Sequence, residues 1–144
     1  MKKNIVYLFF PLLFFLTTLS SAPAQPRILS AAEMTRVLSE KTFSLTYTGE
    51  NKGNSLIYFS RDGKYTILFP SGNVRSTEKW QADSNGDLCL RKVKRSKKDD
   101  QYITRCGKLS LVGENTLFHH DDTGKHILSL QYIGNGNLLG KPPY

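Results

Sequence analysis

Two cysteines, Cys89 and Cys106, flank one strongly basic run, Arg91-Lys92-Val93-Lys94-Arg95-Ser96-Lys97-Lys98-Asp99-Asp100. Residues that face each other in an antiparallel hairpin have a constant sum of positions. If Cys89 faces Cys106, then Arg91 faces Thr104, Val93 faces Tyr102 and Lys94 faces Gln101. Residues 95–100 are left as a six-residue tip. This register keeps apolar residues within the strands and puts charge at the tip. A directly opposed pair is close enough for a cross-strand disulfide. The spacing therefore predicts a basic hairpin stapled by a Cys89–Cys106 bond.

The rest of the pattern is also β. Residues 43–48 alternate apolar and polar, and residues 55–60 are rich in aromatic and β-branched side chains. Arg61-Asp62-Gly63-Lys64 is a hairpin turn, because Asp-Gly accepts the positive φ of a tight turn. Further strands are expected at 65–69, 74–81, 88–94, 101–112 (broken near Gly107), 116–119 and 127–133. One short helix, 31–40, precedes them. Ser30 and Glu33 form a capping box, Leu29 and Met34 a hydrophobic staple, and Ala31, Met34, Val37 and Leu38 fall on one side. A helix this short must pack on something larger. Residues 25–29 read as a lead-in, and the Gly- and Pro-containing tail 134–144 as extended chain. About eight short strands spaced by turns imply an antiparallel meander. Such meanders close to remove exposed edges. The expected fold is mainly β: a small up-and-down, lipocalin-like barrel with one N-terminal helix.

Residues 1–24 have the three parts of a signal peptide. Lys2 and Lys3 precede an apolar stretch, and Ala22-Pro23-Ala24 is a small-x-small cleavage site. The apolar stretch is shorter than the roughly 20 residues that span a bilayer. No cysteine follows it to carry a lipid anchor, and no other segment is apolar enough to cross a membrane. Residues 25–144 then form one exported domain of 120 residues, periplasmic or secreted. Export also supplies the oxidising conditions that the disulfide needs. That domain has 18 basic and 12 acidic residues, a net +6. Export argues against nucleic acid as the partner of this charge. It favours an anionic lipid, a polysaccharide or an acidic protein.

Candidate chemistry is sparse. Arg91, Lys92, Lys94, Arg95, Lys97 and Lys98 would make a local positive field on a protruding hairpin, and they are the expected partner-binding residues. His119, His120, Asp121, Asp122 and His126 are metal-ligating types. Successive strand residues point to opposite faces, however, and Asp-Asp-Thr-Gly is an ordinary turn, so no metal is expected. There is no Gly-x-Ser-x-Gly, no His-Glu-x-x-His, no phosphate-cradling glycine loop and no Cys-x-x-Cys. Neither an enzyme nor a cofactor is expected. Among the strand aromatics, Tyr58, Tyr65, Trp80 and Tyr102 are candidates to line a pocket for an apolar ligand.

Several short motifs occur in a recognisable order. Leu29-Ser30-Ala31-Ala32-Glu33-Met34 opens the domain, and Tyr58-Phe59 precedes Asp62-Gly63. Trp80 is followed by Gly86-Asp87-Leu88-Cys89 and then by Cys106. From about Leu29 to about Gly124 the chain resembles a family of small exported Gram-negative bacterial proteins classed as a domain of unknown function. Where that family has a glycine shortly before the tryptophan, this chain has Glu78 and Lys79. The resemblance implies a β-rich periplasmic domain with a Cys89–Cys106 bridge and implies no activity. The expected function is a non-enzymatic binding protein whose basic hairpin meets an anionic partner. The alternatives are a lipocalin-like carrier of a small apolar ligand, and an enzyme inhibitor using the exposed turn Pro70-Ser71-Gly72-Asn73.

Overall fold

The fold is that of a computed structural model, which describes residues 25–49, 54–95 and 100–140. The expected signal peptide, 1–24, lies outside the described residues, as do Lys97, Lys98 and the last four residues of the tail. Ten strands and one helix follow in chain order. They are β1 (Arg27–Ile28), α1 (Ala31–Leu38), β2 (Lys41–Tyr47), β3 (Ser55–Phe59), β4 (Lys64–Leu68), β5 (Val74–Ala82), β6 (Leu88–Arg95), β7 (Asp100–Gly107), β8 (Leu109–Val112), β9 (Thr116–His120) and β10 (His126–Asn135).

The strands form a single antiparallel sheet in the order β1-β8-β9-β10-β2-β3-β4-β5-β6-β7. Two meanders, β2 to β7 and β8 to β10, are joined where β10 pairs with β2. β7 and β8 lie near opposite ends of this order, yet only Lys108 separates them in sequence. One residue advances the chain by less than 4 Å. The sheet must therefore curl until its two ends meet, which gives the barrel-like form expected of the meander.

The corner is tight. The His120 backbone N–H donates to the Lys108 carbonyl at 2.9 Å. A methyl group at Gly107 would lie 1.7 Å from the His120 carbonyl oxygen and 2.8 Å from its carbon. Here glycine is required by a close backbone approach, because its φ is not in the left-handed region.

The inner face is read directly from the period of two. In β3, Ser55, Ile57 and Phe59 are buried while Leu56 and Tyr58 are not. Phe59 meets Phe43 and Trp80 edge-on, with ring centroids 5.9 and 5.6 Å apart. Leu45, Leu117, Leu128 and Leu130 complete the core beside them.

The capping box is formed. The Ser30 N–H donates to Glu33 Oε2 at 2.9 Å, and the Glu33 N–H donates to Ser30 Oγ at 3.4 Å. Met34 and Leu38 are fully buried. The helix ends at Leu38, two residues before the expected 40. Ser39 leaves the helical region (φ −58°, ψ 130°), and Glu40 turns the chain into β2 with a positive φ of 58°.

Two further expectations are revised. The lead-in contributes a strand: β1 pairs with β8, and the Leu29 N–H donates to the Leu109 carbonyl. The tail extends β10 through Asn135 and then folds back on Thr42. The Thr42 hydroxyl donates to the Gly136 carbonyl at 2.7 Å and accepts from the Leu138 N–H at 3.1 Å.

The cysteine register is the expected one. Cys89 faces Cys106 with Cα atoms 4.0 Å apart, and the two are disulfide-bonded. Replacing both with alanine is expected to lower stability by about 3 kcal/mol in urea unfolding. Gly107→Ala is expected to cost at least about 2 kcal/mol in the same measurement, because backbone stands where the methyl group must go. Ordinary stability in that variant would show that the corner can relax.

Candidate functional site

β5 pairs with β6 only from Lys79 to Ala82, opposite Leu88 to Arg91. Beyond Arg91, β6 pairs with β7 alone, from Lys92↔Ile103 to Arg95↔Asp100. No other strand flanks this part of the ribbon among the described residues. It forms a two-stranded arm that parts from β5, which itself continues to Val74 beside β4. A two-stranded ribbon is marginal in water by itself, and the disulfide ties its base.

The period of two divides the basic residues between the two faces of the ribbon. Arg91 lies on the outer face with Cys89, its guanidinium 4.0 Å from the centroid of the Tyr102 ring. Lys92 shares the inner face with Leu88 and Leu90. Arg105, opposite Leu90, joins it there. The backbones of Lys94 and Arg95 continue the arm toward the tip.

Lys92, Arg105, Tyr65, Leu90, His119 and Leu128 line a cavity of about 80 Å³ at the arm's base. His119 is fully buried, with its ring set against the backbone of Leu88 and Gly107. Burial is the main cause that lowers its pKa from 6.5 to about 4. The His120 charge acts in the same direction, while the nearby backbone of Leu88 and Gly107 and the Asp87 carboxylate oppose it.

The four aromatic candidates separate. Tyr65 and Trp80 face inward, and Trp80 Nε1 donates to the Ser60 carbonyl at 3.1 Å. Tyr58 stands on the outer face of β3, and Tyr102 is 58% exposed beneath Arg91. The four therefore line no common pocket. Phe59 and its neighbours fill the interior and leave a void of about 30 Å³. Ligand cavities usually measure about 300 Å³ or more.

The histidines divide into one fully buried ring, His119, and a pair, His120 and His126, whose ring centroids lie 5.7 Å apart. His119 points inward. His120 Nε2 lies 3.0 Å from Ser110 Oγ, and His126 stacks on Phe118 at 4.3 Å. No group of three or more metal-ligating side chains occurs among the described residues. The turn at residues 70–73 is exposed. No helix is long and apolar enough to cross a membrane among the described residues.

Arg105 was not singled out by the sequence motifs. The cysteine register pairs Leu90 with Arg105, and that signal was available for the arginine. No family model, curated protein or solved structure matches the chain.

His119 gives a pH test. Its folded pKa lies below its unfolded value, so the unfolded chain takes up the proton first as pH falls. The stability held by neutral His119 is full above about pH 6.5 and is lost toward about pH 4. The loss amounts to a few kcal/mol, roughly 1.4 for each unit of displacement. Glu33 and Asp62, lowered to about 2, contribute their slope at lower pH. Urea unfolding at about pH 7 and about pH 5 should show a smaller difference for His119→Phe than for the parent chain. Equal differences would mean that His119 does not set this slope.

Proposed function

We propose that the protein is a non-enzymatic, exported binding module whose basic arm engages an anionic partner of the cell envelope. The observation that carries this reading is the arm itself, a charged two-stranded ribbon that leaves its pairing with β5 beyond Arg91 and is tied at its base by a disulfide. A projecting positive ribbon raises the local concentration of anions and speeds their encounter. Lys94, Arg95, Lys97 and Lys98 supply the charge in sequence, and Arg105 adds a cation at the base. Periplasmic or secreted placement agrees with the disulfide. Membership of the exported family that the motifs resemble would agree as well.

A carrier of the lipocalin kind is less well supported, because the core side chains occupy the interior. The 70–73 turn offers exposure alone to an inhibitor reading.

Vesicles containing an anionic phospholipid provide the test. Binding should weaken steeply with salt and vanish near 1 M, where the screening length is about 3 Å. Arg95→Ser/Lys97→Ser/Lys98→Ser should remove binding and leave the unfolding transition unchanged. Undiminished vesicle binding in that variant would eliminate the arm as the contact.

A further inference from the structure

We infer that the free edge of β7 binds an extended acidic segment of a partner protein, which adds to the sheet as a further antiparallel strand. The contact is with β7 backbone and not with the tip cations. It therefore goes beyond envelope binding and stands or falls separately from it.

The first observation is that this edge is unpaired and regular. β7 ends the strand order, and its register with β6 runs over eight pairs with no shift. No proline interrupts it. The opposite end of the sheet, β1, has only two residues. A long unpaired edge is a template for another strand.

The second is the direction of its backbone groups. Cys89 and Cys106 face each other with Cα atoms 4.0 Å apart. That is nearer the roughly 4.5 Å of a non-hydrogen-bonded antiparallel pair than the roughly 5.5 Å of a bonded one. β5 gives the same phase. The Trp80 N–H donates to the Gly63 carbonyl, away from β6, so Gln81 is the residue bonded to Cys89. Alternation then turns the N–H and C=O of Tyr102, Thr104 and Cys106 away from β6. These groups meet no partner backbone among the described residues.

The third is what lies beside the edge, and it selects the occupant. Lys92 and the exposed Arg105 lie on the inner face, and Arg91 covers Tyr102 on the outer one. None of the three forms an ion pair among the described residues. A second copy would set these cations against their own counterparts, and like charges on neighbouring strands are destabilising. An acidic strand brings carboxylates to them instead. At the corner the edge opens into a notch of about 570 Å³ bordered by Pro26, Ile28, Cys106 and Ser110. Ile28 is 62% exposed, so the notch suits an apolar side chain. Asp121 and Asp122 also border the notch, which places the carboxylates of the added strand at the Arg105 face rather than here.

The probe is acetyl-Val-Glu-Val-Glu-Val-amide. Alternation puts its valines beside Tyr102, Thr104 and Cys106 and its glutamates beside Ile103 and Arg105. The test titrates the oxidised protein with this peptide and follows amide hydrogen exchange by NMR. In the free protein the Thr104 and Cys106 amides should exchange fast, and those of Ile103 and Arg105, bonded to β6, slowly. Saturating peptide should slow the Thr104 and Cys106 amides at least about tenfold.

Lysine in place of both glutamates should weaken binding several-fold, and Arg105→Glu should narrow that difference. Thr104→Pro removes an outward donor and no bond to β6, so the ribbon is kept. It should weaken binding at least about tenfold. Methylating the peptide's valine nitrogens removes the matching donors without altering the protein, and should weaken binding as much. Arg95→Ser/Lys97→Ser/Lys98→Ser should bind the peptide like the parent chain, even where it no longer binds vesicles. Non-saturating shifts, unchanged exchange at Thr104 and Cys106, or equal affinity for the methylated peptide would overturn the strand addition. Slow exchange of those two amides in a free protein that sediments as a dimer would give the edge to a second copy and overturn it as well.

Discussion

The pairing of β10 with β2 is the constraint on which the rest of the molecule depends. Seven register pairs join residues 41–47 to residues 128–135. Without them the chain would be two separate meanders, each with exposed edges. Bringing such distant segments together costs loop-closure entropy before any contact offsets it. Apolar side chains at the seam provide the offset. Leu45 and Leu130 face each other and are almost fully buried. Phe43 faces Tyr132, with ring centroids 5.8 Å apart. Once the seam forms, Lys108 brings β7 beside β8, and the curl of the sheet follows from connectivity.

Local parts of the fold were legible in the sequence for a physical reason: their partners are near in the chain. The Cys89–Cys106 register follows from a constant sum across one turn. The capping box needs only Ser30 and Glu33. Asp62-Gly63 marks its hairpin because Gly63 takes a positive φ of 77°. The seam was not legible, because nothing in 41–47 names 128–135 as its partner. β1 was missed because two residues are too few to show a period. Gly107 could be read only as a break, since its close neighbour is backbone of a different hairpin.

The candidate site shows the same division. Its cations were visible as a run, but a run has no faces until the register is fixed. Alternation sends Arg91 outward onto Tyr102 and Lys92 inward beside Leu90. The same rule removes Tyr58 and Tyr102 from the interior. His119 was seen only as one of three neighbouring histidines. Its separate character comes from burial, which β9 imposes by pairing on both sides, with β8 and with β10.

A barrel this small cannot hold both a full aromatic core and a large ligand. Phe43, Phe59 and Trp80 take the centre, and a large share of the stability comes from their burial. The core is incomplete at the base of the arm, where β6 loses its pairing with β5 just past Arg91. There the inner face carries Lys92 and Arg105 in place of leucines, and His119 borders the last apolar layer. β5 itself runs on to Val74 beside β4, so the two strands part rather than end. The outward charge and the inward cavity thus lie on the two faces of one ribbon, where β5 and β6 part.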